Sequence, residues 1–429
     1  MESTVDIGIL GAGTVGSALI RRLVDDHVAI AAKTGLDFSV RRIAVRDLGK
    51  ARAFEVPDGV LTDDPWLVVN DPEVMLVVEV MGGRDRAGDL VLAALEAGKP
   101  VVTANKELVA SRGLELVAAA ERSGVPLLFE AAVGGGIPII RPLSETLAGE
   151  PVERVMGIVN GTTNFILSRM AEDGAEYGEA LEEAQALGYA EPDPTADVSG
   201  ADAAAKASIL ASLAFGAWVG IDDVYYEGIE DLSPIDMAFA SEFGYAIKLL
   251  AVAERSAEGL SARVHPVLLP IDHPLAAIRG ATNAVFIEGE SVGELLFSGP
   301  GAGGAPTATA VLGDVIDAAR GVLAGAEVAP RIRFSPAELV RFDDVPTKWY
   351  VRLEVEDRPG VLADIAGAFG DSGVSIKSVW QEGAGDEALL LIVTHRAAEA
   401  DQRAAVEAIA KLGPVRQVAS VLRVESEEA

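Results

Sequence analysis

The sequence predicts an α/β protein: a Rossmann-like doubly wound domain comes first, an α+β domain follows, and a ferredoxin-like module closes the chain. Three observations support this prediction. Residues 1–150 alternate β-branched runs with amphipathic segments, the middle mixes strands and helices irregularly, and the residues from Trp349 onward read βαββαβ. The length of 429 residues also agrees with about three domains.

The composition excludes several classes of function. The formal net charge of −31 repels nucleic-acid phosphates and acidic lipid head groups, so neither nucleic acid nor membrane is an expected partner. The absence of cysteine rules out disulfides and thiol chemistry, and four scattered histidines argue against a transition-metal site. The N-terminus lacks the pattern of a signal peptide and no apolar run spans a bilayer, which predicts a cytoplasmic protein.

The N-terminal domain, residues 1–150, is expected to contain a parallel sheet with crossover helices. Two helices, Leu90–Ala97 and Leu108–Ser123, are expected to stop at Gly98 and Gly124. The predicted strands are Val5–Leu10, Val40–Val45, Val74–Val80, Pro100–Thr103 and Pro126–Phe129.

The middle domain is predicted over 151–331 and binds the substrate, while 332–348 form a Pro-containing linker to a module over 349–429. Its predicted strands are Arg154–Val159, Ala262–Leu269 and Ala284–Glu288, with helices over 162–171, 177–187 and 200–215. The module is predicted to run Tyr350–Glu356, Val361–Ser372, Val374–Gln381, Leu389–His395, Arg403–Lys411 and Val415–Val424.

A glycine-rich loop follows the first strand and opens a helix, as in dinucleotide-binding folds. Gly11 permits the tight turn, Gly13 lets a pyrophosphate approach the backbone, and Gly16 lets helix and strand pack closely, with Thr14 and Val15 between them. The alternative is a glycine turn without a ligand.

The tip of the second strand bears on the choice of cofactor. An NAD site places an acid there, whereas Arg46 and Lys50 flank Asp47 in this chain and are suited to a 2′-phosphate. NADP is therefore favoured over NAD, although two surface cations are the simpler explanation of the same residues.

Lys106 stands just past the carboxyl end of a predicted parallel strand, where open α/β sheets bind their ligands. A cation at a helix N-terminus opposes the macrodipole, which favours a functional role over the alternative of a solvated surface lysine.

Asp202 and Lys206 are four residues apart, so they share one helical face. Ala203, Ile209 and Leu210 make the surroundings apolar, and a partly desolvated lysine suits proton transfer near neutral pH. An ordinary ion pair for Lys206 and helix capping for Asp202 are the alternatives.

Five motifs, in order, resemble those of homoserine dehydrogenases: GAGTVG, TANK, VNGTTNFIL, GYAEPDPTADVSGADAAAKASILA and GPGAGGAPTATAVLGD. The C-terminal module, with its sequence DRPGVL from Asp357, resembles an ACT domain. The match covers essentially the whole chain, and without room upstream for an aspartate kinase it resembles the stand-alone form.

The resemblance implies a role for each matched residue. Lys206 corresponds to the catalytic lysine and Lys106 to the lysine that works beside it and contacts the cofactor, while Glu191 and Asp202 hold the substrate. Gly188 and Gly303 correspond to backbone contacts with the cofactor. The family's monovalent cation, sodium, is bound by the carbonyl groups of Glu130, Val133, Gly135 and Ile137.

The resemblance further implies interconversion of L-homoserine and L-aspartate 4-semialdehyde in threonine and methionine biosynthesis, a homodimer or homotetramer, and threonine feedback through the ACT domain. Truncation after Val345 is then expected to leave an active enzyme that ignores threonine. The competing functions are a 2-hydroxy-acid dehydrogenase, which needs a catalytic histidine, an amino-acid sensor without catalysis, and an inactive cofactor-binding scaffold.

Overall fold

The computed structural model describes residues 3–325, 332–384 and 387–425. Four short ranges lie outside the described residues. They are 1–2 of the predicted first domain, 326–331 of the middle domain, and 385–386 and 426–429 of the C-terminal module. Two compact units are present. The first comprises Met1–Val155, Ala205–Asp222 and Asn283–Ala337, and the second comprises Met156–Ala204, Asp223–Thr282 and Glu338–Ala429.

A parallel sheet with the order β3-β2-β1-β4-β5-β6 forms the first unit's core and confirms the predicted Rossmann-like class. Its strands are β1 Ser3–Leu10, β2 Leu36–Ala44, β3 Leu61–Thr62, β4 Leu76–Glu79, β5 Val101–Thr103 and β6 Leu127–Leu128. The sequence missed β3, because two residues are too few to show a strand period.

The connecting helices pack apolar faces onto this sheet. They are α1 Thr14–Asp25, α2 His27–Thr34, α3 Trp66–Val69, α4 Asp85–Glu96 and α5 Lys106–Ser123. As predicted, α5 ends at Gly124, which adopts a left-handed φ of 66° that closes the last turn.

The described middle of the chain continues with six strands and six helices. The strands are β7 Val152–Ile158, β8 Tyr225–Tyr226, β9 Tyr245–Arg255, β10 Leu260–Pro270, β11 Thr282–Gly289 and β12 Gly293–Pro300. The helices are α6 Gly161–Asp173, α7 Tyr177–Ala186, α8 Thr195–Val198, α9 Ala201–Phe215, α10 Pro234–Glu242 and α11 Gly304–Ala324.

Helix α11 completes the core of the N-terminal sheet from nearly 180 residues downstream of β6. Its Ala308, Val311 and Val315 are fully buried in one cluster with Ile9 and Leu19. The N-terminal domain therefore does not close its core with residues 1–150 alone.

The C-terminal module has the predicted βαββαβ order, with two short extra strands. Its elements are β13 Pro346–Thr347, β14 Trp349–Val355, α12 Val361–Asp371, β15 Ile376–Ala384, β16 Glu387–Thr394, β17 Ala397–Ala398, α13 Glu399–Ile409 and β18 Val415–Val424.

The module shares a sheet with strands of the middle domain, in the order β9-β10-β18-β14-β16-β15. Strand β18 runs parallel to β10, with Val267 opposite Arg423 and Leu268 opposite Val424. The second half of the predicted linker is also held in place: the Val340 amide donates to the Leu260 carbonyl over 2.8 Å, and the Phe342 ring stacks on Tyr225 at 3.9 Å. The module is therefore built into the second unit.

Among the described helices, none combines the length and apolar character that crossing a bilayer requires.

Candidate active site

The glycine-rich loop has the geometry of a dinucleotide cradle. Gly11 has φ +108°, and a Cβ there would lie 2.8 Å from the Met81 backbone. A Cβ on Gly16 would lie 2.3 Å from the Gly11 carbonyl oxygen, whereas one on Gly13 would meet nothing within 4 Å. Helix α1 starts at Thr14 without a side-chain cap, and the uncapped N-terminus of a helix is the kind of position that binds a phosphate.

Two other glycine-rich segments pack around this loop. A Cβ on Gly304 would lie 3.1 Å from the Thr14 carbonyl oxygen, and the preceding Gly303 has φ +112°. A Cβ on Gly135 would lie 2.3 Å from the Gly301 carbonyl oxygen. The structure thus brings the Gly303 loop and the 130–137 segment together beside the nucleotide loop.

Arg46 and Lys50 lie exposed on the loop that follows β2. This loop neighbours the nucleotide loop, because the Gly11 amide donates to the Ala44 carbonyl over 3.0 Å. Asp47 accepts from the Gly49 amide over 2.8 Å, and Arg52 donates to the Lys50 carbonyl over 2.7 Å. Arg52, which the sequence analysis did not single out, therefore shapes the loop that presents both cations.

A buried polar network sets the position of Lys106, the first residue of α5. The Thr103 hydroxyl donates to the fully buried Glu79 carboxylate over 2.6 Å. The side-chain oxygen of Asn105 caps the helix by accepting from the Leu108 amide. The backbone amide of Asn105 donates to the Thr103 hydroxyl over 3.0 Å. Glu79 was not predicted as a site residue, although an acid at the end of an otherwise apolar strand was the available signal.

Glu79 also holds the loop after β4, since one carboxylate oxygen accepts from the amides of Met81 and Gly82. Burial raises the pKa of this carboxyl group, and the hydrogen bonds from Thr103 and the two amides oppose that effect. One buried acid therefore organises both the start of α5 and the loop beside Gly11.

Asn160 organises the acidic residues of the second unit. Its side-chain amide donates to Asp197 over 2.7 Å and to Asp202 over 2.8 Å, while its carbonyl oxygen caps α6 by accepting from the Thr163 amide. Asp202 thereby takes a fixed place in the first turn of α9. Lys206 follows one turn later on the same helix and is half-buried. Asn160 and Asp197 were not predicted, because their contact joins distant parts of the sequence.

Helix α6 also anchors the loop that carries Gly188 and Glu191. The Thr162 hydroxyl donates to the Tyr189 carbonyl over 2.7 Å. Gly188 is exposed with φ +76°, and Glu191 is exposed while its carbonyl accepts from Gln185 over 3.2 Å. Residues at the start of α6 therefore bind both Asp202 and the loop that carries Glu191, the two predicted substrate acids.

The turn before α9 is packed against residues 227–229 with no room for side chains. A Cβ on Gly200 would lie 2.9 Å from the Glu227 carbonyl oxygen, and one on Gly228 would lie 2.3 Å from the Val198 carbonyl oxygen. The Glu227 carboxylate pairs with Arg423 of β18. The C-terminal module thus contacts the segment that supports the start of α9.

The Glu130 segment uses its side chain as well as its backbone. The buried Glu130 carboxylate accepts from the amides of Ile139, Ile140 and Arg141 over 2.6 to 2.9 Å. Asp314 accepts from the Glu130 amide and pairs with Arg141 over 2.8 Å. Burial, with the neighbouring Glu130 charge, raises the pKa of Asp314 to about 7.

The described ranges contain no group of three or more His, Cys, Asp or Glu side chains arranged to hold a metal ion. A cation at 130–137 would depend on carbonyl oxygens instead.

Comparison with known proteins assigns each part of the chain. The family model for homoserine dehydrogenase matches residues 138–316, that for its NAD-binding domain matches 11–130, and that for the ACT domain matches 349–414. A homoserine dehydrogenase of Corynebacterium glutamicum is 47% identical over 428 residues, covering 99% of this chain and 96% of that protein. The chain belongs to the homoserine dehydrogenase family.

Solved structures agree with this membership. A homoserine dehydrogenase from Thiobacillus denitrificans has a TM-score of 0.92 at 42% identity, covering 99% of this chain and 98% of that one. One from Staphylococcus aureus has a TM-score of 0.79 at 31% identity, covering 99% and 100%. The enzyme is thus an oxidoreductase that interconverts homoserine and aspartate 4-semialdehyde, with a Rossmann-like NAD-binding domain and an ACT domain.

Proposed function

We propose that Lys206 is the acid–base group of this reaction and that Lys106 works beside it, while Glu191 and Asp202 hold the substrate. The observation that carries the proposal is the pair of hydrogen bonds from Asn160 to Asp197 and Asp202. These bonds fix the Asp202 carboxylate in the first turn of α9, the helix that also carries Lys206, and a substrate held in a fixed position is what positioning catalysis requires.

Each residue then has a defined task in homoserine oxidation. The bound nicotinamide supplies the hydride chemistry. Neutral Lys206 Nζ takes the proton of the substrate hydroxyl, and in the reverse direction its ammonium form returns a proton to the developing alkoxide. Glu191 and Asp202 offer negative charge to the substrate ammonium, which a partly buried cation requires.

The cofactor proposal is NADP, with NAD as the alternative. The nucleotide is held by Gly11, Gly13, Thr14, Val15 and Gly16, with Gly188, Gly303 and Lys106 as further contacts. The exposed side chains of Arg46 and Lys50 support a 2′-phosphate beside the cradle. One similar structure, at a TM-score of 0.62 and 31% identity over 74% of this chain, is that of a hyperthermophilic archaeal homoserine dehydrogenase in complex with NADPH.

A sodium ion is part of the same proposal, bound by the carbonyl groups of Glu130, Val133, Gly135 and Ile137. The turn is built from two left-handed glycines, Gly134 at φ +70° and Gly135 at φ +55°. Carbonyl oxygens are the hard ligands that such a cation prefers.

For regulation, we propose that 349–429 bind threonine and that the substrate domain and ACT modules pair in a homodimer or homotetramer. The turn at Gly360 supports an effector site, since Gly360 has φ +100° and precedes α12 without a side-chain cap. The division into 1–150, 151–331, the linker 332–348 and the module, and a cytoplasmic location, belong to this proposal. Threonine titration of full-length activity tests the effector.

The assignment of Lys206 is tested by Lys206→Ala. We expect turnover with homoserine to fall by a factor of roughly 10² to 10⁴, the usual loss for a general acid–base group, with an unchanged melting temperature. The matched control is Lys33→Ala, on the exposed last turn of α2, which should keep full turnover. A Lys206→Ala enzyme with turnover near that of this control would show that Lys206 does not transfer the proton.

A further inference from the structure

A cavity of about 230 Å³ lies in the second unit, between α10 and the sheet strands β14 and β15. Its wall on the helix side is formed by Phe239 and Phe243, and its wall on the strand side by Trp380. The Phe243 and Trp380 rings meet at 4.7 Å with a tilt of 46°, which leaves aromatic edges and faces around the space. None of the residues assigned to catalysis or to the Gly360 turn lines it.

The cavity is preformed because α10 is fixed to the sheet at its other end. Asp236 forms a capping box with Ser233 and pairs over 3.0 Å with Arg352 of β14, and both charged residues of this pair are buried. Arg352 and Tyr350 are two residues apart on β14, so they point to the same face of the strand. The ion pair therefore holds α10 at a set distance above Tyr350.

The Tyr350 hydroxyl is the feature that points to a ligand. The side chain is only 5% exposed and lines the cavity, and among the described residues its hydroxyl has no hydrogen-bond partner. A buried hydroxyl without a partner is destabilising, and an acceptor inside the cavity would offset that cost. Burial raises the pKa of Tyr350, so the hydroxyl remains a neutral donor.

The remaining polar residues at the cavity are Tyr245 on β9 and Lys377 and Ser378 on β15. Together with Tyr350 they give an apolar chamber with a cation and three hydroxyl groups, the usual composition of a small-molecule site. A cavity of about 150 Å³ with apolar walls is known to hold benzene, so this one has room for a benzene-sized ring and a polar head group.

We propose that this cavity is a binding site for a small aromatic carboxylate. The ring lies among Phe239, Phe243 and Trp380, where edge-to-face contacts favour an aromatic body over an aliphatic one. The carboxylate accepts from the Tyr350 hydroxyl and faces the positive charge of Lys377. The site does not depend on the assignment of the catalytic residues.

Calorimetric titration of the full-length enzyme with 3-phenylpropanoate and with L-phenylalanine tests the site. We expect 3-phenylpropanoate to bind at millimolar concentration or below, one per chain, without competition from L-threonine. Absence of binding by both probes, or competition between 3-phenylpropanoate and threonine, would overturn the proposal.

Variants decide whether binding occurs in this cavity. Tyr350→Phe should raise the melting temperature, because it removes an unpartnered buried hydroxyl, and should weaken 3-phenylpropanoate about tenfold, because it removes the donor. Ala240→Leu should fill the space and abolish binding. The control is Val379→Ala, whose side chain alternates to the opposite face of β15 from Ser378 and Trp380 and should leave the affinity unchanged. Binding that neither cavity variant weakens would place the probe elsewhere and refute the site.

Discussion

The N-terminal sheet and the sheet of the second unit are stabilised in different ways. In the first, β1 buries Val5, Ile7 and Ile9, and the buried acid Glu79 stands at the end of β4, where it organises the cofactor side. In the second, charged groups are buried within the strands themselves. Arg263, Arg352 and Arg423, each less than 7% exposed, pair with carboxylates from other elements.

The difference concerns how parts of a chain are joined. An apolar sheet face can pack against many different apolar surfaces. A buried charged side chain is stable only when its own partner is in place, because an unpaired buried charge is costly. Arg352 and Arg423 therefore join the C-terminal module specifically to α10 and to the segment around Glu227.

The largest expected effect is that of removing the module. Truncation after Val345 deletes β14 and β18, which exposes β10 and leaves Asp236 and Glu227 without their arginines. We expect loss of cooperative folding of the second unit and of activity, measured by circular dichroism and turnover. This reverses the expectation of an active, unregulated enzyme.

Removal of 426–429 alone is the control and should leave folding and turnover intact. A soluble truncated protein with most of the full-length turnover would show that the module is a separable regulator.

Breaking one buried pair is the next largest perturbation. Arg352→Met should lower the free energy of unfolding by about 3–5 kcal/mol, because Asp236 remains buried and charged. Arg352→Met with Asp236→Leu should cost clearly less. Denaturant titration measures both.

The comparison in the first unit is Arg42→Met, which breaks a pair with Asp71 in which the arginine is 34% exposed. A smaller loss than for Arg352→Met is expected there, because Asp71 is buried but still accepts from the Glu73 amide and the arginine already lies partly in water. Equal losses for Arg42→Met and Arg352→Met would mean that the two units do not differ as described.

Sequence patterns predicted the elements well wherever local chemistry determines them. The GAGTVG loop and the βαββαβ order of the module follow from glycine spacing and hydrophobic periodicity, and both are confirmed. The packing of α11 on the N-terminal sheet and the pairing of β18 with β10 involve residues far apart in sequence, so no local pattern indicated them. The same holds for the site: Lys106 and Lys206 stood out, while Glu79 and Asn160, which position their surroundings, did not.

The pH dependence of the free energy of unfolding gives a third comparison. We compare one titrating group from each unit, Asp314 and Lys248. Burial and the neighbouring Glu130 raise the pKa of Asp314 from 3.8 to about 7, so between these values the folded chain holds a proton that the unfolded chain has released. The free energy of unfolding therefore falls as pH rises through this range, by at most about 1.4 kcal/mol per pH unit. Asp314→Asn should remove this slope.

The corresponding group in the second unit is Lys248, whose ammonium contacts Asn164. Burial, with the Arg279 charge nearby, lowers the pKa of Lys248 from 10.5 to about 8, so the free energy of unfolding rises as pH increases between these values. Lys248→Met should flatten that rise and leave the acidic range unchanged. Thermal melts from pH 4 to pH 10 measure both variants, and a slope that persists in its variant would refute the assignment.

The smallest expected effect lies on the exposed loop of the first unit. Arg46→Ala should raise the Michaelis constant for NADP about tenfold and that for NAD much less, because a guanidinium binds a 2′-phosphate that NAD lacks. The matched variant is Asp47→Ala, which removes a negative charge from the same loop and should lower the Michaelis constant for NADP. Equal changes for both cofactors in Arg46→Ala would identify Arg46 as a surface residue without a part in cofactor choice.

The parallel pairing of β10 with β18 also has a consequence for the order of folding during synthesis. Residues 260–270 leave the ribosome long before 415–424, so β10 waits for its neighbour while most of the module is still being translated. The strands β1 to β6 meet much earlier, although α11 joins them only after Gly304 has been made. Because incomplete sheets expose unpaired edges, the nascent chain is most prone to aggregate during this interval, and codon changes that slow translation between β10 and β18 would lengthen it.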